Sequence, residues 1–549
     1  MISFQAYKQK RFLIVDDFDN FILSMRQILR SLGAEHIDSA RSGQEAISHC
    51  LHTHYDVVLC DYNMGSSQKN GQQVLEELRH RKLLKSTAIF IMVSAEVAKD
   101  MVYGALESQP DGYLAKPISQ SQLEKRLSLL MEQKQALKPI LEAMDLEDYG
   151  KAITLCHDEI KRNSKYKSWC IKTLANLYYL SGDLTHAREI YQDVINQRPL
   201  DWARLGLGKI QLAEQDYEGA IATLSGLLED NNQCIEAYDW LARAYQKQGN
   251  LQKAQRTLAQ AVEISPRVLQ RQKTLAEISL GNQDLETATR AYRATARLSD
   301  NSIHESPEIY LSFSRCLSDL SESDSSKVSD VMANEALKSL EKTRAKYGDR
   351  PGVKLQALMV ETRVYASQGK SELSQRAFKQ AKELFDELEN PNPEWALEMA
   401  QTLYSLQEPA QAQKLLVELG ERHPDDAALR AKIEELLEEP VGLKEKMQAR
   451  ESNRQGIKAY EQGNYPEAIQ HFQAALSITP HHKALNLNLV QALIKVFEET
   501  QASPRLLDHC DNALQRVGNL DEQHRQYKRW QYLTNKLQSI KHKLNGATQ

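Results

Sequence analysis

Four polar motifs near the start of the chain each come directly after a run of apolar residues that suits a buried strand. In chain order they are Asp16 with Asp17, Asp61, Ser94 and Lys116. The carboxyl ends of parallel strands meet at one edge of an open α/β sheet, where functional sites are built. Carboxylates that converge there are costly unless a divalent cation lies between them, and hard oxygen ligands suit Mg²⁺. In such a set Asp61 could accept a phosphoryl group as a nucleophile, while Lys116 and Ser94 contact the phosphoryl oxygens.

The segments between these motifs predict the elements that would position them. Helix-period stretches over 18–32, 43–50, 71–84 and 95–106 alternate with the apolar runs. Regular alternation of strands and helices with short connections predicts a parallel sheet with helices on both faces. We therefore expect a doubly wound α/β domain in which the polar motifs share one edge of the sheet.

This segment, Met1 to about Lys134, resembles a response-regulator receiver domain of the CheY-like type. The resemblance rests on the motifs Leu13-Ile14-Val15-Asp16-Asp17, Asp61-Tyr62-Asn63-Met64, Val93-Ser94-Ala95 and Ala115-Lys116-Pro117. It implies a five-stranded parallel sheet, an aspartyl phosphate formed at Asp61 and a bound Mg²⁺.

The same resemblance implies roles for single residues. The implied Mg²⁺ ligands are Asp16, Asp17, Asp61 and Asn63, and the implied switch pair is Ser94 with Tyr113. Asp17 would bind the ion directly, Asp16 largely through water, and Asn63 through its backbone carbonyl. We expect the Lys116–Pro117 bond to be cis. Asn63 and Glu96 hold positions that tune water attack in this family, and this polar pair resembles that of fast-cycling receivers.

From Ser119 onward the strand pattern ends and a helical repeat begins. Ala187, Ala220, Ala254 and Ala288 are separated by 33, 34 and 34 residues. A fixed period of this length indicates stacked helical pairs, because small residues let paired helices approach closely. The pattern resembles the tetratricopeptide repeat (TPR). We place consecutive units at 168–201, 201–234, 235–268 and 269–302, a further unit at 449–482 and a degenerate one at 393–426.

These patterns divide the chain. We predict a receiver domain at 1–134, a TPR array at 135–303, atypical helical repeats at 304–440, and a C-terminal TPR with a helical cap at 441–549. A helix over 122–144 would pair with one over 148–160, so that the receiver continues into the array without a flexible linker. The low-complexity stretch 318–330 predicts an exposed loop.

First-helix positions of such an array line its concave groove. By the repeat register these positions hold Trp169, Lys172, Asn176, Tyr179, Trp202, Lys209 and Arg243. Exposed aromatic and arginine side chains anchor protein interfaces, so the groove is a candidate binding site for a partner protein. The alternative is that Trp169 and Trp202 pack between units.

Composition narrows the class of protein. The chain has 549 residues, 26% of them charged, and a formal charge of -5, which predicts several soluble domains and gives no reason to expect a nucleic acid or an anionic membrane as partner. No apolar run approaches the ~20 residues of a membrane helix, and the polar N-terminus does not read as a signal peptide. Seven scattered cysteines argue against a disulfide framework or a zinc site. We expect a cytoplasmic location.

Together these features predict a bacterial two-component response regulator that is no enzyme beyond receiver phosphorylation and dephosphorylation. A histidine kinase or phosphotransfer protein would phosphorylate Asp61, and phosphorylation would control protein binding by the repeats. Two alternatives are a phosphate sink or relay competitor and a constitutive scaffold for a kinase or sister regulator. Near-neutral charge and the lack of a helix-turn-helix pattern oppose binding to RNA or DNA. The sequence leaves homodimerisation open.

Overall fold

The described part of the chain folds into two units. In the computed structural model these units are residues 1–309 and 310–549. The structure describes residues 5–65, 68–95, 107–323, 327–437, 443–480, 482–500, 505–518, 520 and 526–546. Among these residues no helix is both long enough and apolar enough to cross a membrane.

Within the described residues, the sheet of the first unit has five parallel strands. They are β1 (Arg11–Val15), β2 (His36–Ala40), β3 (Val57–Asp61), β4 (Ile89–Ser94) and β5 (Gly112–Ala115). Their order across the sheet is β2-β1-β3-β4-β5. The central strands β3 and β4 are buried along their whole length, which explains why their sequences are continuously apolar rather than alternating.

Helices cover both faces of this sheet. Alternate residues of β1 enter two separate cores, Leu13 and Val15 on one face and Phe12 and Ile14 on the other. The helices of the first core are Gly43–His52 and Gly71–His80, and those of the second are Asp19–Ser31 and Gln120–Ala136. A short helix, Gln5–Lys8, precedes β1. The predicted doubly wound α/β fold is confirmed.

The rest of the first unit consists of paired helices. They are Lys138–Asp145, Tyr149–Lys161, Lys167–Leu180, Leu184–Gln197, Asp201–Ala213, Tyr217–Asp230, Ile235–Lys247, Leu251–Ile264, Leu269–Gly281 and Leu285–Ser299. The second helix of each pair begins after an N-cap whose side chain accepts a backbone N–H, at Asp148, Asp183, Asp216, Asn250 and Asp284. Each such cap stabilises a helix start by about 0.5–2 kcal/mol. The repeated cap explains why the chain turns at a regular period.

Small residues lie where the repeat helices approach one another. Ala187, Ala220 and Ala254 are 0% exposed. A Cβ atom added to Gly206 would lie 2.2 Å from the Tyr191 ring of the preceding helix. The stacked TPR solenoid predicted from the alanine period is therefore confirmed for this part of the chain.

The second unit is helical throughout its described elements. Its helices are Pro307–Ser323, in which the boundary between the units falls, Lys327–Tyr347, Pro351–Ser367, Ser371–Asp386, Pro393–Ser405, Pro409–Arg422, Ala427–Leu437, Leu443–Glu461, Tyr465–Ile478, Lys483–Thr500, Arg505–Val517 and Tyr527–Gly546. A helical pair occupies each of the two repeats predicted at 393–426 and 449–482.

The predicted single helix over 122–144 is wrong. The helix Gln120–Ala136 ends at Leu137, and a new helix starts at Lys138. Pro139 has no N–H to donate to the first helix, but it suits the first turn of the second. Only Leu137, 1% exposed, separates the two helices, and the receiver therefore continues into the array without a flexible linker.

The predicted exposed loop over 318–330 is also wrong. The chain is helical to Ser323 and again from Lys327, and residues 324–326 lie outside the described part. Ser318 and Ser321 are buried, and the Ser321 hydroxyl donates to the Ser318 carbonyl over 2.7 Å. Because serines can satisfy their hydroxyls within a helix in this way, a serine-rich sequence does not require a loop.

Candidate functional site

Three carboxylates meet at the carboxyl edge of the sheet. Asp16 and Asp17 follow β1, and Asp61 is the last residue of β3. One oxygen of each lies within 4.8 Å of the others. Asp16 and Asp61 are buried, whereas Asp17 is exposed. Clustered carboxylate oxygens with one solvent-facing member fit a hard cation such as Mg²⁺, which keeps part of its water shell.

The ammonium group of Lys116 lies between two of these carboxylates. Lys116 Nζ is 2.6 Å from Asp16 Oδ2 and 3.3 Å from Asp61 Oδ1. The other oxygen of Asp16 accepts the backbone N–H of Phe18 over 2.9 Å. Asp16 therefore accepts two hydrogen bonds, one from Lys116 and one from the Phe18 backbone.

Burial changes the acidity of Asp61. Burial raises the pKa of the Asp61 carboxyl, Lys116 lowers it and the Asp16 charge raises it, and the net result is a pKa of about 6. In this buried environment the charged form of the carboxyl is less stable than it is in water. Binding of a cation beside Asp61 would relieve that destabilisation.

The predicted switch residues lie on the neighbouring strands. Ser94 ends β4, one residue beyond the register partner of Asp61, and is 2% exposed. Its carbonyl accepts the Lys116 backbone N–H over 2.8 Å. Tyr113 lies in β5 opposite Met92, with its ring partly buried against the first core.

The remaining predictions for this edge have different outcomes. The Lys116–Pro117 bond is cis, which confirms that prediction. Asn63 is exposed two residues beyond Asp61, and its side-chain oxygen accepts the Gly65 N–H over 3.4 Å. Glu96 lies outside the described residues.

Two residues at this edge were not predicted from the sequence. The Phe21 ring lies below the Lys116 ammonium, 4.2 Å from ring centre to Nζ, where a cation–π contact can fix its position. Phe21 lies in the first turn of the helix that follows Asp17, and this position in the sequence indicates that its ring is close to the carboxylates. Gly71 packs on the Asp61 backbone, since a Cβ there would lie 2.4 Å from the Asp61 carbonyl oxygen.

The candidate groove residues of the array differ in how exposed their side chains are. Lys172, Asn176 and Arg243 are exposed, Tyr179 and Lys209 are partly exposed, and Trp169 and Trp202 are partly buried against two different cores. Trp240, which was not among the predicted residues, has Lys209 Nζ 5.1 Å and the Arg243 guanidinium 4.7 Å from its ring centre. Glu236 pairs with Lys209 over 2.5 Å and accepts the Trp240 indole N–H over 3.3 Å.

The raised pKa of Asp61 predicts the effect of Asp61→Asn on stability. A carboxyl whose pKa rises on folding contributes stability below its unfolded pKa and loses it as the pH rises through its folded pKa. At pH 7.5 in chelator-treated buffer, Asp61→Asn should therefore raise the free energy of unfolding by about 1–3 kcal/mol.

Thermal melts at pH 7.5 and at pH 4 measure this effect. The advantage of Asp61→Asn should shrink toward pH 4, where both proteins are uncharged at this position. Asp19→Asn, which removes an exposed carboxylate paired with Arg41, is the matched control and should give no gain. An equal gain at both pH values would contradict the assignment of the effect to the Asp61 charge.

Comparison with known protein families matches both parts of the chain. The model of the response regulator receiver domain matches residues 12–128. Two models of the tetratricopeptide repeat match residues 172–233, 211–278, 372–436 and 459–506.

Three single relatives match a receiver-sized part of the chain. Chemotaxis protein CheY-3 of Vibrio cholerae is 29% identical over 125 residues, which are 23% of this chain and 94% of the relative. Chemotaxis protein CheY of Pseudomonas aeruginosa is 28% identical over 122 residues, 22% of this chain and 96% of the relative. A solved CheY-like receiver domain protein from Methanospirillum hungatei JF-1 is 22% identical, with 24% of this chain and 98% of that chain covered and a TM-score of 0.21.

Motifs, sheet order and family matches agree on the assignment. The chain begins with a response regulator receiver domain and continues into tetratricopeptide repeats.

Proposed function

We propose that this chain is a cytoplasmic two-component response regulator that is phosphorylated on Asp61 and whose output is protein binding by its TPR repeats. The convergence of the Asp16, Asp17 and Asp61 carboxylates within 4.8 Å of one another, beside Lys116, carries this proposal. The proposed division of the chain is a receiver at 1–134, an array at 135–303, atypical repeats at 304–440, and a TPR with a helical cap at 441–549.

The phosphoryl donor is a histidine kinase or a phosphotransfer protein. A carboxylate oxygen of Asp61 attacks phosphorus, the phosphorus–nitrogen bond of the donor phosphohistidine breaks, and its electron pair stays on the imidazole nitrogen. Lys116 neutralises charge on the transferred group, and the Ser94 hydroxyl donates a hydrogen bond to it. Asp16, Asp17, Asp61 and the Asn63 backbone carbonyl would hold a Mg²⁺ ion, which would supply further charge neutralisation.

The bound partner of the array is a protein. Trp240 with its flanking Lys209 and Arg243 combines an aromatic surface with two cations, a composition that is common at the centres of protein interfaces. Tyr179 and Asn176 add contact area at first-helix positions of an earlier unit. Beyond phosphoryl transfer and hydrolysis at Asp61, we propose no enzymatic activity.

Phosphoryl transfer from acetyl phosphate, followed on phosphate-affinity gels, tests the site. Asp61→Asn should abolish incorporation, and Lys116→Ala should slow it by about 100-fold, the usual effect of losing one charge-stabilising donor. Asp19→Asn should behave as the unchanged protein because Asp19 lies outside the carboxylate cluster. Incorporation into Asp61→Asn would show that the acceptor lies elsewhere.

Retention of partners from the native lysate tests the output. The immobilised protein is compared with and without Mg²⁺ and beryllium fluoride, a stable mimic of the phosphoryl group, with Asp61→Asn as control. We expect to find a partner whose retention on the unchanged protein differs with and without the mimic. On Asp61→Asn the mimic should not change its retention, and Trp240→Ala should not retain it. The same proteins on all forms would instead favour a constitutive scaffold or a phosphate sink.

A further inference from the structure

A buried arginine of the array binds a carboxylate of the receiver. Arg271, whose side chain is 1% exposed, lies in the first helix of the fourth repeat unit, and Glu107 belongs to the receiver. Arg271 Nη2 is 2.6 Å from Glu107 Oε2, and Nη1 is 3.3 Å from Oε1. The pairing is bidentate, which gives it geometric specificity as well as strength.

The same guanidinium also binds its own array. Its Nε and Nη2 donate to the two oxygens of Asp239 over 2.8 and 2.7 Å, and Nη1 donates to the Ser265 carbonyl over 3.2 Å. A guanidinium has five N–H donors, and Glu107 accepts two of them while Asp239 and Ser265 accept the others. If the receiver moved away, two buried donors of Arg271 would lose their protein partner, which is costly.

A second contact joins the receiver to the C-terminal end of Leu285–Ser299, the second helix of the fourth repeat unit. Gln73 Nε2 donates to the carbonyls of Leu298 and Asp300 over 3.2 and 3.1 Å, and Lys69 Nζ donates to the Asn301 carbonyl. Carbonyls at a helix C-terminus have no partner within the helix, and they form the negative end of its dipole. The receiver side chains donate to this negative end of the helix dipole.

The amide of Gln73 is oriented by its own helix. Its oxygen accepts the Asn70 backbone N–H over 3.0 Å, while the Gln73 backbone N–H donates to the Asn70 side chain over 2.9 Å. Because this capping box occupies the oxygen, the NH₂ group faces the array. Gln73 therefore caps two helices at once, one in the receiver and one in the array.

This contact lies close to Asp61 along the backbone. The Gly71 N–H donates to the Tyr62 carbonyl over 2.9 Å, and the Gly71 Cα packs on the Asp61 carbonyl. The capping box therefore begins at Asn70, directly before Gly71, the residue that packs on Asp61. A displacement of the backbone at Asp61 must move Asn70 and Gln73 or strain them.

Contacts on the other side of the receiver are weaker. The Ser86 N–H donates to both oxygens of Asp145 over 3.1 and 3.0 Å, and Lys82 pairs with Glu147 over 2.7 Å. Lys82 and Glu147 are exposed, and exposed pairs contribute little to stability. The contacts of the buried Arg271 and the half-buried Gln73 therefore dominate the docking of the receiver.

We propose that the fourth repeat unit is a docking surface for the chain's own receiver domain and that phosphorylation of Asp61 weakens the docking. We name the contacts of Lys69, Gln73 and Glu107 with Arg271 and the carbonyls of residues 298, 300 and 301 the clasp. This inference rests on the proposed function, since it requires Asp61 to be phosphorylated. The sign follows from charge: a phosphoryl group on Asp61 adds about -1.5 to -2 close to the start of the helix Gly71–His80. That charge repels the array carbonyls, the negative end of a helix dipole, to which Lys69 and Gln73 donate.

Amide hydrogen exchange on the full chain, with and without Mg²⁺ and beryllium fluoride, tests the clasp. In the unchanged protein the mimic should speed exchange about tenfold in peptides that cover 69–80 and 296–302. Glu107→Ala removes only the receiver half of the ion pair and leaves Arg271 paired with Asp239, so the array should stay folded. This variant should show the faster exchange without the mimic.

Asp230→Ala is the matched control, because it removes a carboxylate that pairs with Arg204 inside the array. It should exchange as the unchanged protein does. Exchange that the mimic leaves unchanged or slows, or a Glu107→Ala protein indistinguishable from the unchanged one, would overturn the clasp.

Acetyl phosphate treatment of the same samples separates the two proposals. A protein that is phosphorylated on Asp61 but keeps its slow exchange refutes the clasp and leaves the proposed function intact. A protein that takes up no phosphoryl group refutes the proposed function, and the inference falls with it.

Discussion

The ammonium of Lys116 is the charge on which the carboxyl edge of the sheet depends. Parallel β1 and β3 bring Asp16 and Asp61 together in a buried place, and their mutual repulsion would separate the strand ends. Lys116 lies 2.6 Å from one and 3.3 Å from the other and rests on the Phe21 ring. One positive charge cannot compensate three carboxylates, so the site keeps an excess of negative charge. A divalent cation can neutralise that excess, and with the cation in place Asp61 can accept an anionic phosphoryl group.

Backbone packing connects this edge to the array. Gly71 allows the helix Gly71–His80 to start on the Asp61 carbonyl, and any larger side chain would meet that oxygen. The helix then presents Gln73 to the carbonyls at the end of Leu285–Ser299. The route from the acid site to the repeats consists of adjacent backbone groups and two capping interactions, and no long-range mechanism is needed to connect them.

Local patterns were enough to predict the elements. Continuous apolar runs predicted the buried strands, because that signal lies within each strand. The alanine period predicted the repeats, because each unit places a small residue at the same contact between its helices. The residues Asp16, Asp61 and Lys116 were predictable because each ends a strand and parallel strand ends share an edge. Pro139 marks the helix break at Leu137, because a proline cannot donate an N–H inside a continuing helix and suits the first turn of a new one. In the serine-rich stretch, composition alone does not distinguish a loop from a helix whose serines bond to their own backbone.

Contacts between distant segments could not be predicted in the same way. Glu107 and Arg271 are far apart in sequence, and an isolated Glu or Arg is typical of an exposed helix position. Only the fold shows that Arg271 is buried and that its five N–H donors have partners both in the receiver and in the array. The setting of Trp240 depends on a similar contact, since Lys209 reaches its ring from the helix Asp201–Ala213, while Arg243 lies one turn away on the same helix.

The central claim is that the state of Asp61 and the docking of the receiver on the array are energetically coupled. Coupling between two equilibria is reciprocal, so a clasp that the phosphoryl mimic weakens must itself weaken binding of the mimic. The direct measurement is the affinity of the full chain for beryllium fluoride in saturating Mg²⁺, compared between the unchanged protein and Glu107→Ala. The account predicts tighter binding to Glu107→Ala, whereas equal or weaker binding would contradict it.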